Sequence, residues 1–208
     1  MPLDTNSLSR VRPYLYHLTA RQNQPAILRS RELYCSKLLL DAAGERHLAT
    51  QRRIVHRSIA VDGDRLLIRD QMPLAAGAIA FEDGWTLERF VEHINEHVFF
   101  WPGTAAGPIR AGRNHFERYR GERPVVIRFG TESVERSDFL YCLYNSGAPR
   151  CSGGKHSPRG SGTYVPAAQF HGSPSDVIEV VAIGSVALPL ASEVADDPTG
   201  PWRKLFSD

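Results

Sequence analysis

The sequence is poor in cysteine and in lysine, and each shortage argues against a class of protein. The three cysteines, Cys35, Cys142 and Cys151, are odd in number and form no C-x-x-C pair. This usage argues against a disulfide framework and a zinc site, and the reduced thiols of a cytoplasmic protein are the simplest interpretation. Only three of the 25 basic residues are lysine, so the other 22 are arginine. Arginine suits phosphate binding, although a genome rich in arginine codons gives the same excess.

Several signatures of membrane proteins and of common enzyme folds are also missing. No stretch has the length and hydrophobicity of a transmembrane helix, and no basic segment followed by an apolar run marks a signal peptide. The motifs G-x-G-x-x-G, G-x-x-x-x-G-K-[ST] and G-x-S-x-G do not occur. We therefore expect no membrane association, and no Rossmann, P-loop or α/β-hydrolase site.

The composition that is present is that of an ordinary globular protein. Hydrophobic residues make up 42% of the 208 residues, charged residues make up 23%, and the formal net charge is +2. These values predict one domain over residues 1–208, with a core over about 14–188 and a peripheral tail after Pro189. Many short β-type segments and a few helical ones, without regular βα alternation, predict an α+β fold.

Local patterns predict the individual elements. We expect strands at residues 14–19, 32–35, 98–101 and 124–129, and helices at 86–97, at 113–120 and from about Pro25 onwards. Residues 37–43 predict a brief apolar helix or a turn. Residues 58–69 predict a hairpin around an Asp-Gly turn. Pro102 and Gly103 are expected to end the strand at 98–101. The Gly-, Ser- and Pro-rich segment 145–162 predicts a long loop, and the β-branched run at 176–188 predicts a late strand.

The first predicted strand carries an unusual set of polar side chains. His17 and Thr19 are two positions apart, so they face the same side of the strand. Asn23 follows, and Pro25 is a typical first-turn residue of the next helix. A histidine and a hydroxyl on one face can bind a diol or an amide, or they can form a satisfied pair in the core.

Three stretches together resemble the ADP-ribosyltransferase fold: the His-x-Thr strand, the aromatic strand 98–101 and the apolar late strand with its single acid, Glu179. The opening strand and helix resemble those of the DarT-type nucleic-acid ADP-ribosyltransferases. The chain from about 14 to 188 resembles an uncharacterised bacterial family, the domain of unknown function 7002, over segments 68–73, 95–101 and 145–147.

This resemblance implies a split β-sandwich with flanking helices that binds NAD, as substrate, between two small sheets. It implies that Glu179 is catalytic, and that one arginine among Arg52, Arg53 and Arg57 holds the pyrophosphate or positions the reacting end; we predict that Arg57 is the catalytic one. The residues predicted to bind NAD are His17, Leu18, Thr19, Asn23, Arg53, Phe99 and Phe100. The residues predicted to bind the second substrate are Arg69, Asn145 and Arg159.

Some of these residues have other interpretations. Aromatic runs such as 99–101 mostly pack in cores. Arg69 and Asp70 are equally compatible with a cleft element and with an internal ion pair. His93 and His97 have the i, i+4 spacing of metal ligands, but no third ligand is near them in sequence, so we expect no metal.

The function that the resemblance implies is NAD-dependent ADP-ribosyl transfer by a bacterial toxin or defence effector. The expected acceptor is a nucleic acid, with DNA favoured over RNA, and an antitoxin protein is a possible partner. The alternatives are an NAD glycohydrolase, a non-catalytic NAD- or nucleotide-binding module, and an enzyme that transfers an RNA 2′-phosphate to NAD.

Overall fold

The structure is a computed structural model that describes residues 5–74, 77, 79–133, 139–148 and 158–206. Within these residues the α-helices are α1 (Thr5–Val11), α2 (Gln24–Ser30), α3 (Ser36–Ala42), α4 (Leu87–Asn95) and α5 (Arg110–Tyr119). The strands are β1 (Tyr14–Thr19), β2 (Glu32–Tyr34), β3 (Arg57–Val61), β4 (Asp64–Ile68), β5 (His97–Thr104), β6 (Gly107–Pro108), β7 (Val125–Gly130), β8 (Phe139–Cys142), β9 (Val165–Pro166), β10 (Glu179–Ile183), β11 (Ser185–Ala187), β12 (Glu193–Ala195) and β13 (Arg203–Lys204). The α+β class predicted from the sequence is confirmed. None of the helices in this part of the chain is long and apolar enough to cross a membrane.

The central strand β5 changes partner halfway along its length. Its first half, from His97 to Phe100, pairs with β10, whereas its second half, from Trp101 to Gly103, pairs with β1. The strands follow the order β13-β12-β7-β1-β5-β10-β8-β9 through mainly antiparallel pairs, and β6 pairs with β5 beside this path. Because β1 pairs with β5 only as far as Tyr16, the end of β1 is paired with β7 alone. The two strands therefore separate and leave a gap between them.

Two small hairpin-like sheets lie outside the main one. In the β3–β4 hairpin, Asp62 and Gly63 have φ values of 49° and 84°, which is the conformation of a type I′ turn and confirms the predicted hairpin. The other sheet joins β2 to β11. The aliphatic residues of β3 and β4 pack against α3 and the turn at residues 46–50, and these contacts hold the hairpin in place.

The helix before β5 forms as its pattern predicted, but the strand itself is longer. The Thr86 side chain accepts a hydrogen bond from the Arg89 amide and caps α4, as a threonine at this position does. The prediction that Pro102 and Gly103 end the strand was wrong. Pro102 still pairs with Leu15, and its carbonyl accepts a hydrogen bond from Ile109. A strand tolerates proline where only the carbonyl is needed.

The segment after Pro189 is part of the sheet, so the prediction of a peripheral tail was wrong. β12 pairs with β7 along Arg128, Ile127 and Val126, and β13 pairs with β12. Leu205 and Phe206 are buried in the main core. The sequence analysis missed β12 because a strand of three residues shows too little alternation of polar and apolar side chains to be detected.

The helix α5 starts earlier than its sequence pattern predicts. The helix begins at Arg110, three residues before the predicted start, with Gly112 packed so closely that a Cβ there would lie 2.8–2.9 Å from Pro108 and Trp101.

Cys35 and Cys142 are buried, and Cys151 lies outside the described residues. Residues 149–157 of the predicted loop also lie outside them.

Candidate functional site

A cleft of about 240 Å³ lies where β1 and β5 separate. Its walls come from β1, β5, the start of β10, the segment 67–71 and the segment 145–147. The structure brings together nine of the predicted site residues in these walls. They are His17, Leu18, Thr19, Asn23, Arg53, Arg69, Phe99, Asn145 and Glu179.

The strand β1 presents His17 as a neutral hydrogen-bonding group. The Nδ1 atom lies 2.9 Å from the Phe99 carbonyl, which can only accept, so Nδ1 donates and Nε2 is left as an acceptor. Burial lowers the pKa of His17 to about 4; the hydrogen bond to the Phe99 carbonyl opposes this effect, and the positive charge of Arg69 adds to it. The backbone of β5 thus fixes the tautomer of this ring in the gap between the two strands.

Thr19 and Asn23 connect the first strand to the β3–β4 hairpin. Asn23 Nδ2 donates to Thr19 Oγ1 at 3.1 Å and to the Leu67 carbonyl at 2.9 Å, and Asn23 Oδ1 accepts from the Leu67 amide at 2.8 Å. The amide of Asn23 therefore replaces a missing strand partner for Leu67. It also holds the segment 67–71 against the cleft.

Glu179 is a buried carboxyl group at the inner end of the cleft, with 3% of its surface exposed. Its Oε2 accepts a hydrogen bond of 3.0 Å from the Ser146 amide, and Tyr164 donates to Ser146 Oγ at 2.9 Å. Burial raises the pKa of Glu179 to about 7, although the contacts with Ser146 and the charge of Arg159 oppose this effect. A carboxyl group with this pKa changes its charge near neutral pH.

Two guanidinium groups line the cleft with part of their donors unpaired. Arg53 donates to the Arg69 carbonyl and to Asn95 Oδ1, both at 3.0 Å, but its Nη1 is buried without a partner among the described residues. Arg69 donates from Nη1 to Glu122 Oε2 at 2.6 Å, while its Nε and Nη2 are buried and unpaired in the same part of the structure. Buried unpaired donors are costly, so this pair of arginines is suited to an anion.

Three predicted site residues lie outside the cleft walls. Phe100 belongs to the core, because successive side chains of β5 point to opposite faces and Phe99 takes the cleft side. Arg57 is on the exposed β3 strand, where it forms an ion pair of 2.9 Å with Glu45. Arg159 is fully buried behind the segment 145–148, where it donates to the carbonyls of Ser146 and Ala148.

These placements correct the roles predicted for the three residues. Phe100 does not face a ligand in the cleft, and Arg57 is not near Glu179 in its walls. Arg159 instead supports the backbone whose Ser146 amide binds Glu179. The sequence could not show which of Arg53 and Arg57 faces the cleft, because the segment between them has no clear pattern of secondary structure.

The sequence analysis did not single out several polar residues that line the cleft. His115 packs between Trp101 and Tyr119, and burial lowers its pKa to about 3. His97 donates from Nδ1 to the His93 carbonyl at 2.7 Å, and burial lowers its pKa to about 4. Asp70, considered with Arg69 as a cleft element or as part of an internal ion pair, does line the cleft. An isolated histidine within a helix gives no sequence signal of its place in a cleft.

The rings of His93 and His97 are adjacent, with centroids 4.9 Å apart. Within the described ranges, no group of three histidine, cysteine, aspartate or glutamate side chains is arranged to hold a metal ion. Their nearest aromatic neighbour is Tyr164, which packs against both rings. Both rings thus pack against the residue whose hydroxyl donates to Ser146.

Two further hollows adjoin the cleft. One, of about 580 Å³, lies beyond His17, Thr19 and Asn23, between α2, α3 and the hairpin. The other, of about 290 Å³, lies on the side of α5 and shares Asp70 and His115, among others, with the cleft. Together they provide space of the size that small-molecule sites have, about 300 to 1,000 Å³.

Comparison with known proteins gives one family match. The model of a family described as "Family of unknown function (DUF7002)" matches residues 13–187. No curated protein and no solved structure matches the chain.

Proposed function

The chain belongs to the DUF7002 family, and from its cleft we propose that it is an enzyme that transfers ADP-ribose from NAD to an acceptor. The observation that carries this proposal is the placement of Glu179, His17 and two incompletely paired arginines in one cleft. The resemblance to DarT-type ADP-ribosyltransferases over the opening strand and helix supports the same activity.

The residues of the cleft fit the parts of NAD. The unpaired N–H groups of Arg53 and Arg69 suit the pyrophosphate, which arginine binds through charge-assisted hydrogen bonds. His17 Nε2 can accept a hydrogen bond from a ribose hydroxyl or from the nicotinamide amide. The half-buried ring of Phe99 lies on the side of β5 that faces the cleft and can stack on the nicotinamide. The larger hollow beyond His17 has room for the adenosine half.

Glu179 supplies the electrostatic part of the chemistry. The bond between the ribose and nicotinamide breaks as the bond to the acceptor forms, and positive charge develops on the ribose, as it does when a glycosidic bond is cleaved. A carboxylate fixed beside that carbon stabilises the charge in a site with little water. The Ser146 amide holds this carboxylate in place, and the pKa of about 7 keeps a large share of it ionised at neutral pH.

The side of the cleft next to α5 favours a nucleic acid as the acceptor. Arg110, Arg113 and Arg118 are exposed on this helix, and no ion pair involves them in the described part of the chain. Arg118 also lines the smaller hollow beside the cleft. Exposed arginines near a reacting centre attract the phosphates of a polynucleotide.

The proposal is tested by measuring nicotinamide release from NAD by the purified protein, alone and with DNA or RNA. We expect release that the Glu179→Gln and His17→Ala variants lose, and a mass increase of the nucleic acid. Free ADP-ribose without any acceptor identifies a glycohydrolase instead. NAD binding without release identifies a binding module, and neither binding nor release contradicts the proposal.

A further inference from the structure

A second carboxylate, Asp70, lies in the wall that separates the cleft from the smaller hollow. It lines both spaces, whereas Glu179 lines only the cleft. Asp70 Oδ1 accepts from the Met72 amide at 2.9 Å, and Oδ2 accepts from Tyr119 at 3.2 Å. A carboxylate has about four acceptor positions, so these contacts fix its orientation and leave Oδ1 with room for another donor.

Asp70 also belongs to a chain of groups that leads away from the cleft. His56 Nδ1 lies 3.0 Å from Asp70 Oδ2 and accepts from the Asp70 amide, and His56 Nε2 lies 2.7 Å from Glu122 Oε1. The side chain of Asp70 is 10% exposed, that of His56 is 26% exposed and that of Glu122 is 38% exposed. A carboxylate, an imidazole and a second carboxylate thus connect the buried wall to solvent in steps of hydrogen-bond length.

We propose that Asp70 is a second catalytic residue, the base that takes the proton of the acceptor, and that the smaller hollow holds that acceptor. This inference rests on the proposed function. The acceptor atom bonds to the ribose carbon as the bond to nicotinamide breaks, and the proton of the acceptor moves to Asp70. Asp70 then gives this proton to water in the smaller hollow, while His56, whose Nδ1 accepts from the Asp70 amide and whose Nε2 donates to Glu122, positions Asp70.

The groups around Asp70 hold this wall of the cleft in place. Arg69 contacts Glu122 at 2.6 Å, and its guanidinium lies over the Tyr119 ring at 4.3 Å from the centroid. Arg53 adds a second positive charge near Asp70. The Tyr119 hydroxyl stays protonated as a donor, since burial and the charge of Asp70 raise its pKa to about 12. Asp70 is therefore held in a fixed orientation at the boundary of the two spaces.

The test separates a base from a structural anchor by using a nucleophile that carries no proton. Nicotinamide release from NAD is measured for the wild type, Asp70→Asn and His56→Gln, with water, DNA or RNA as acceptor, and again with sodium azide. Asp196→Asn is the matched control, because Asp196 forms ion pairs with Arg21 and Arg203 and lines none of the three spaces. Thermal unfolding shows that each variant is folded.

We expect Asp70→Asn to lower release on the order of a hundred-fold or more with protonated acceptors, the usual contribution of a general base. Azide should restore release and give an ADP-ribosyl azide, which mass spectrometry detects. His56→Gln should lower the rate about tenfold with protonated acceptors and leave the azide rate unchanged.

Two results would overturn the inference while leaving the proposed function intact. One is an Asp70→Asn variant as active as the wild type, and the other is a loss of activity, with either variant, that azide does not restore. If the wild type neither binds NAD nor releases nicotinamide under any of these conditions, the proposed function itself is wrong. The Asp196→Asn control should match the wild type throughout.

Discussion

At the scale of single residues, the cleft combines one weakly acidic carboxyl group with neutral imidazoles and incompletely paired guanidinium groups. Glu179 and His17 have pKa values shifted in opposite directions by the same cause, burial, which disfavours a charge on either of them. The two residues therefore contribute differently as the pH changes, and single substitutions can separate their effects.

Glu179→Gln removes the charge and keeps the shape of the side chain. Because kcat/KM reports the ionisation of the free enzyme, we expect kcat/KM for NAD in the wild type to rise as the pH increases through about 7. The variant should lose about a hundred-fold or more in nicotinamide release at pH 8. A flat wild-type profile between pH 6 and 8 would argue against a role for this carboxylate.

The same substitution should stabilise the fold at alkaline pH. The pKa of Glu179 is about 7 in the folded protein, above its ordinary value of 4.5, so the wild type loses stability as the pH rises between these values. At pH 8 we expect the free energy of unfolding of Glu179→Gln to exceed that of the wild type by on the order of 2 kcal/mol. Urea unfolding at pH 5 should show a much smaller difference.

Arg53 and Arg57 form a matched pair, since they are close in sequence and only Arg53 faces the cleft. We expect Arg53→Gln to weaken NAD binding by roughly 10- to 100-fold, the effect of losing hydrogen bonds from a charged donor. Arg57→Gln should bind NAD as the wild type does. Calorimetric titration measures both, and equal losses in the two variants would contradict the assignment.

At the scale of elements, the cleft depends on how β5 leaves β1. Where β5 is still paired with β1, Gly103 lets the returning strand β6 approach closely, because a Cβ at this position would lie 2.6 Å from Pro108 Cα. Backbone atoms cannot move aside as a flexible side chain can. The short β5–β6 turn is thus fixed by a residue far from the reacting groups.

Gly103→Ala should therefore destabilise the protein by about 1 to 3 kcal/mol, the usual cost of overpacking. Gly121→Ala is the control, because no atom lies within 4 Å of a Cβ there and its φ is not in the left-handed region. Urea unfolding of both variants tests this expectation. Equal stability of the two variants would show that β6 shifts without cost.

The sequence predicted elements with strong local signals and missed those that depend on distant partners. The strand at 14–19, the Asp62-Gly63 turn and the Thr86 cap follow from alternation, turn chemistry and capping, which act over a few residues. The passage of β5 through Pro102 depends on Leu15, and β12 depends on β7. No local pattern contains that information.

The same distinction holds in the candidate site. Glu179 and His17 were predicted from the patterns of their strands and from a resemblance to a fold family, and both line the cleft. Asp70 was predicted only as one of two alternatives, and His115 and Ser146 were given no role, since each reaches the cleft through packing of a loop or a helix. The inward turn of Arg53 likewise depends on Asn95 and on the carbonyl of Arg69.

At the scale of the whole molecule, one buried and two half-buried histidines make the fold sensitive to acid. Burial lowers the pKa of His17 and His97 to about 4 and that of His115 to about 3, below their ordinary value of 6.5. The unfolded chain then binds more protons than the folded one over this range. Glu179 acts in the opposite direction, but it is one group against three.

We expect the free energy of unfolding to fall as the pH decreases from about 6.5 to 4, by up to about 1.4 kcal/mol per unit of pKa shift for each histidine. His115→Gln should reduce this dependence, because one of the three groups no longer titrates. Urea unfolding at several pH values measures both. A stability that is constant over this range would contradict the burial of these rings.

The pairing of β12 with β7 has a consequence for aggregation. A chain ending after Ala187 would lack β12, so β7 would become an open edge that presents Val126, Ile127 and Arg128 with unpaired backbone groups. Open apolar edges recruit strands from other molecules. The segment after Ala187 thus protects one edge of the sheet, and such a shortened chain should form soluble oligomers or precipitate before it loses its secondary structure.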